Sequence, residues 1–215
     1  MKKKLISSII ATSFIALFSI PTLSAPVANL KISGDIKPPS CTINGLDNPD
    51  IVFEFNIPAS SLSSGEDLKL NGKTQAITVF CDASTYLSLR PVDNRAGTEL
   101  TEGIYNFGLG THGDNNIKIG YYDIILNNGF YRQSPGSERI SASFRKNLNS
   151  LTYPSFKLDK TAAASWADAS TNSGLAAGQE FTAGITVSPT INGSLKNEDS
   201  VLLDGNAVLE FSFGL

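Results

Sequence analysis

The sequence holds one histidine, two cysteines and one tryptophan in 215 residues, and only 17% of it is charged. Each shortage removes a class of function. A lone imidazole cannot supply the repeated histidines of most metal centres. His112 also lies in the polar run Gly110-Thr111-His112-Gly113-Asp114, where a histidine is ordinarily structural. No block of five or more Lys or Arg residues occurs, so the electrostatic footprint for DNA, RNA or an anionic membrane is missing. There is no G-x-S-x-G, no H-E-x-x-H, no P-loop and no G-x-G-x-x-G opening a helix. Ser143-Phe144-Arg145-Lys146 matches the serine–lysine spacing S-x-x-K, but its companions S-D-N and K-T-G are absent. Asp47, Asp50, Asp93 and Asp114 do not fall in the twelve-residue pattern that gathers ligands around calcium. The expectation is a protein that is not an enzyme, with no catalytic residues, no metal ligands and no cofactor.

What is present begins with Lys2, Lys3 and Lys4, followed by an uncharged apolar run over 5–20 and then by small residues. That is the layout of a secretory signal peptide. The run is shorter than the ~20 residues that span a bilayer, and it ends at Pro21. Ala25 offers one end for the signal, but Pro26 would then follow the cut, where its fixed φ and missing N–H hinder a protease. Cleavage after Ser24 avoids this and makes 1–24 the signal peptide, with no membrane association afterwards. The mature chain then carries 14 basic against 20 acidic side chains, a net charge of minus six.

The two cysteines, Cys41 and Cys81, are forty residues apart. In an exported chain such a pair reads as one disulfide, since a redox or metal pair needs closer spacing or further ligands. Closing that loop contributes about 4 kcal/mol on the chain-entropy estimate.

Hydrophobicity alternates with period two, and no long segment has helical periodicity. Ala28, Leu30, Ile32 and Ile36 alternate with Asn29, Lys31, Ser33 and Asp35. Ile51, Phe53 and Phe55 flank Val52 and Glu54, and Ala76, Thr78 and Phe80 flank Ile77 and Val79. Further strands are expected over 86–92, 117–126, 181–188 and 207–215, punctuated by turn signals at Asn127-Asn128-Gly129 and Asp204-Gly205-Asn206. The stretches 58–73 and 131–178 read as loops or inserted short elements. Ala162, Ala163 and Ala164 suggest a short helix over 160–169 anchored by Trp166. Asp93-Asn94-Arg95 is expected to hold a loop through side-chain bonds to the backbone, with Arg95 pairing a carboxylate. The whole predicts an all-β sandwich with one disulfide and long loop insertions.

Leu30-Lys31-Ile32-Ser33-Gly34-Asp35-Ile36, then Cys41, then Cys81, resembles the N-terminal half of chaperone–usher pilus subunits. A narrower resemblance is to the GltF-like family of fimbrial-like periplasmic proteins. It is carried by Asp93-Asn94-Arg95, Phe107-Gly108-Leu109-Gly110, Lys118-Ile119-Gly120 and Leu203-Asp204-Gly205-Asn206. The resemblance implies an immunoglobulin-like (pilin-like) β-sandwich over 40–215, lacking one strand, with the disulfide joining its first two strands. It also implies a donor strand in the extension 25–39, centred on Ala28, Leu30, Ile32 and Ile36. The acceptor or chaperone-facing strand would carry Leu209, Phe211, Phe213 and Leu215. Gly214 stands where pilus subunits usually have a penultimate tyrosine.

The function so implied is an exported structural subunit of the periplasm or surface fimbria of a Gram-negative bacterium. It would assemble by β-strand addition, with a role in cell adhesion. Its partners would be like subunits or a periplasmic assembly chaperone and usher. The alternative reading of the same pattern is a self-complete periplasmic binding module for a soluble ligand or envelope protein, with 28–36 as its own first strand. Strand pairing to self and to a neighbour require the same side-chain alternation.

Overall fold

The computed structural model of the chain describes residues 26–62, 65–146, 150–170, 174–197 and 200–213. The expected signal peptide, 1–24, and the terminal Gly214 and Leu215 lie outside these residues. The chain divides into two units, Met1–Ile36 and Lys37–Leu215. In the first unit the described residues, 26–36, form no strand, and every one of them is exposed.

In the second unit, the described residues contain no α-helix; strands alternate with two 3-10 turns, Ala59–Leu62 and Gly193–Asn197. The strands are β1 (Cys41–Ile43), β2 (Leu68–Lys69), β3 (Lys73–Asp93), β4 (Phe107–Gly108), β5 (Thr111–His112) and β6 (Ile117–Lys118). They continue with β7 (Gly120–Arg132), β8 (Ile140–Arg145), β9 (Phe156–Lys157), β10 (Ala164–Asp168), β11 (Ala177–Ile191) and β12 (Ala207–Phe213).

β3 organises the fold. Ile77, Val79, Cys81, Leu87 and Leu89 point into the core while residues between them face outward, the period-two pattern of a strand with one buried face. The strands expected over 76–80 and 86–92 are therefore one continuous element, with no Gly, Pro or Asn between them to break it. Its first half pairs with β11 on one side and β1 on the other. Its second half pairs with β12 and, at Ser88 and Leu89, with β10. Because β10 pairs onward to β8, β8 to β7, and β7 to β11, the five strands β3, β10, β8, β7 and β11 close into a ring. The closed ring gives each of these five strands two neighbouring strands.

The ring is filled from all sides. Trp166 is completely buried and meets Phe144 and Phe181 edge-on, at centroid distances of 5.4 and 6.1 Å, and its indole N–H donates to Thr182 O at 3.1 Å. A buried Trp is tolerated only where that N–H finds such a partner. The helix expected over 160–169 is absent for this reason: Ala164–Asp168 is β10. Alanine's helix preference amounts to a few tenths of a kcal/mol per residue. Pairing with β8 and burial of Trp166 outweigh it.

The stretch 131–178, expected as loops or inserted short elements, carries three short strands, β8, β9 and β10. Asn127-Asn128-Gly129 does not turn the chain but bulges inside β7, where the register against β11 slips between Thr182 and Gly184. Asn128 takes φ +49° there, so the residue types that make a hairpin turn serve a bulge equally well. The disulfide joins Cys41 and Cys81, which are directly opposite each other on β1 and β3.

Candidate functional site

Two segments of the second unit alternate like strands without being paired as strands. Ile51, Phe53, Phe55 and Ile57 are half-buried against the core, while Val52, Glu54 and Asn56 are exposed. Near the other end, Val201 and Leu203 pack inward while Leu202 and Asp204 face out. Among the described residues, no backbone–backbone hydrogen bond reaches 51–57 or 201–203. Between the two segments lies a cleft, walled by Phe53, Phe55 and Ile57 on one side and Val201 and Leu203 on the other.

A second cleft continues the arrangement. It lies between Cys41, Ile43 and Asp47 of the early chain and Leu209, Phe211 and Phe213 of β12, with Val79 of β3 beneath. β12 pairs with β3 along one edge only. The early segment 41–57 and the late segment 201–213 thus face each other across two open clefts, and among the described residues no ladder joins them. A half-buried row of Phe, Ile, Val and Leu beside unpaired backbone is a template for another strand.

The walls are held in different ways. On the early wall, the long side chains of β3 reach the backbone: Gln75 Nε2 donates to Val52 O at 2.5 Å, Lys73 Nζ donates to Glu54 O, and the Lys73 ammonium lies 5.1 Å from the Phe55 ring centroid.

The late wall is anchored by a polar joint. Arg95 binds both carboxylate oxygens of Asp204, Nε to Oδ2 at 2.8 Å and Nη2 to Oδ1 at 2.8 Å, and Nε also donates to Asp204 O. Asn94 pairs with Asn206 through both backbone, at 3.0 Å, and side chain, and Asp204 N–H donates to Leu109 O. Asp93 fixes the other half of the joint, accepting from Arg95 N–H at 2.9 Å and Gly108 N–H at 3.1 Å. Gly108 is required, since a Cβ there would lie 2.2 Å from Arg95 O, and Gly110 takes φ +86° beneath Asp204. The hydrogen bond from Arg95 holds the Asp204 carboxyl below its usual range.

The motifs Asp93-Asn94-Arg95, Phe107-Gly108-Leu109-Gly110 and Leu203-Asp204-Gly205-Asn206 therefore meet in one place. The expectation that Arg95 pairs a carboxylate and that Asp93 holds the backbone is met. Lys118 belongs to the adjoining network: its Nζ donates to Glu99 O, while Lys160 Nζ binds Glu99 Oε1 at 2.8 Å and lies 3.5 Å from the buried Asp93. Burial pushes the Glu99 carboxyl up, but its bonds to Lys160 and to backbone outweigh that and leave it below the ordinary range.

Of the residues expected to pair subunits, Leu30, Ile32 and Ile36 are 88, 91 and 103% exposed, and Ala28 is exposed beside them. Leu209 and Phe211 sit inward on β12; Phe213 is 37% exposed, and Leu215 lies outside the described residues. The sequence reading lines the groove with apolar residues of the first and last strands, naming Leu209, Phe211, Phe213 and Leu215, and misses Val201, Leu203 and the wall role of Phe53, Phe55 and Ile57. The alternation over 51–57 was the available signal.

The serine–lysine pair is not brought into nucleophilic geometry. Ser143 is a ladder residue opposite Ala167, and Lys146 Nζ is 2.5 Å from Asp159 Oδ2. That hydrogen bond raises the lysine pKa, the reverse of what a general base requires. Gly108-Leu109-Gly110-Thr111-His112-Gly113 has dinucleotide spacing but runs into the β5–β6 hairpin, not a helix. Among the described residues no group of three or more His, Cys, Asp or Glu could hold a metal ion, and no helix is long and apolar enough to cross a membrane.

Compared with family models and with curated proteins, the chain matches none.

Proposed function

We propose that the chain is a fimbrial-like structural subunit that assembles by β-strand addition, residues 26–36 of one copy entering the groove between 41–57 and 201–213 of another. The observation that carries this is the pairing of opposites within one sequence: an alternating apolar segment left in water, and an apolar groove bordered by unpaired backbone. Water penalises both, and one act of association relieves both.

The incoming strand would supply the missing ladder through its backbone and its register through Ala28, Leu30, Ile32 and Ile36. Burying the three larger side chains contributes about 5–8 kcal/mol before ordering costs. The fold that this reading implies is an immunoglobulin-like, pilin-like sandwich short of one strand. The partition of β3 supports it, its first half serving β1 and β11 and its second half β12. Export to an oxidising periplasm is part of the same reading, since it allows the Cys41–Cys81 bond to form and persist. A periplasmic chaperone would occupy the groove before a neighbour does.

The test is size-exclusion light scattering on mature 25–215 purified from an oxidising periplasm without added chaperone. A ladder of multimers is expected, and Ile32→Asp is expected to abolish it while leaving a folded monomer. A stable parent monomer, with Ile32→Asp lowering monomer stability, would overturn strand exchange and favour a self-complete binding module.

A further inference from the structure

An open apolar groove needs something to keep its walls apart, because closing it would remove Phe53, Phe55, Val201 and Leu203 from water and let two unpaired backbones meet. The joint at 204–206 is placed where it can do this. It sits between the unpaired wall 201–203 and the start of β12, so it sets where the chain leaves the body of the fold. Its central ion pair is half-exposed, Arg95 36% and Asp204 56%. Such a pair adds little to global stability. Yet it is bidentate, and it is reinforced by the Asn94–Asn206 double contact and the Asp204–Leu109 backbone bond. A fork-to-fork pair is directional, so what it supplies is a fixed geometry.

We infer that Arg95 and Asp204, with Asn94 and Asn206, are positioning residues for strand capture: the joint holds the 201–203 wall in place so that the groove stays open to an entering strand. None of the four touches the incoming segment; they act through the wall. The early wall lacks an equivalent. β1 and the disulfide hold its start to β3, but among the described residues the hydrogen bonds that reach 51–57 come from Gln75 and Lys73 to the carbonyls of Val52 and Glu54, so 51–57 is the part that adjusts on capture. The entering strand then takes its register from the fixed late wall.

The inference rests on the strand-addition reading, and the experiment separates the two. A fluorescent synthetic peptide of residues 25–37 is titrated against the mature full chain, held at concentrations where the chain is monomeric. The parent chain is expected to bind it. Asp204→Asn and Arg95→Gln are each expected to weaken binding about tenfold, the loss of a directional charge-assisted pair. The melting temperature should remain close to the parent's. The exchanged pair Arg95→Asp with Asp204→Arg is expected to recover most of the affinity, which a general loss of stability would not do. Hydrogen exchange at the amides of Asp204 and Asn94, which donate to Leu109 O and Asn206 O, should quicken in the single variants and slow again in the exchanged pair. If parent and variants bind alike, or if exchange at Asp204 and Asn94 is unchanged, the positioning role is overturned while strand addition stands. If the parent chain itself does not bind the peptide, strand addition falls and the positioning role falls with it.

Discussion

The closed ring of β3, β10, β8, β7 and β11 and the open ground between 41–57 and 201–213 are built from the same kinds of residue, yet they end in opposite conditions. In the ring, Trp166, Phe144, Phe181 and Leu126 are completely buried and each strand has partners on both sides. In the open region, Phe53, Phe55, Val201 and Leu203 reach only half burial, and the backbone beside them has no ladder. The difference teaches that alternation of apolar and polar residues specifies a face to bury, not a partner to bury it against. Where β3 and β11 supply both neighbours, alternation yields a core. Where one neighbour is lacking, the same alternation yields an open cleft.

The comparison can be broken first on the closed side. Trp166→Ala is expected to cost about 3–5 kcal/mol, because a void inside a closed ring has little room to collapse and Thr182 O loses its donor. Urea unfolding of the monomer measures it, and a loss well below this would mean the ring is looser than its packing suggests. Removing the disulfide with Cys41→Ala and Cys81→Ala comes next, at about 4 kcal/mol as an upper figure. Its distinctive outcome is regional. β1 has three residues and holds the early wall to β3, so exchange at 41–48 should rise more than exchange in β7 or β11.

The open side should respond in reverse proportion. Phe55→Ala removes a half-buried ring, so the monomer should lose only about 1–2 kcal/mol while strand capture fails. Equal loss of stability and assembly would erase the distinction between core and groove.

The smallest effect is a pH dependence on the closed side. Burial pushes the Asp159 carboxyl up, but bonds from Lys146 and Thr161 outweigh it and hold the group below its ordinary value. A carboxyl depressed in the folded state contributes stability that is present above its unfolded value, about 4, and is lost as pH falls through the lower folded value. The stability of Asp159→Asn relative to the parent should therefore be lowest near neutral pH, and the gap should narrow below about pH 4. A gap independent of pH would mean the carboxylate charge does not matter there.

Much of the open side was readable without coordinates because its signals are local. The alternation over 28–36, 51–55 and 207–213 shows in residue types, and Asp93 and Arg95 announce their bonding by chemistry. The closed side was harder to read, and its misreadings share a cause. Asn127-Asn128-Gly129 looks like a turn because Asn and Gly accept positive φ, but whether the chain reverses or bulges depends on β11 lying alongside. Ala162, Ala163 and Ala164 favour a helix weakly, and the pull of β8 on Ala164–Asp168 comes from residues about twenty positions away in the chain.

By itself the sequence determined the strand-rich class, the cysteine pairing, and which side chains must leave water, since these follow from composition, spacing and period-two alternation. Only the tertiary structure decided that five strands close on one another, that three separated motifs meet at Asp204, and that 51–57 and 201–203 remain unpaired. Pairing depends on which backbones come within hydrogen-bond reach. That is a property of the assembled chain, which no local stretch of residues carries.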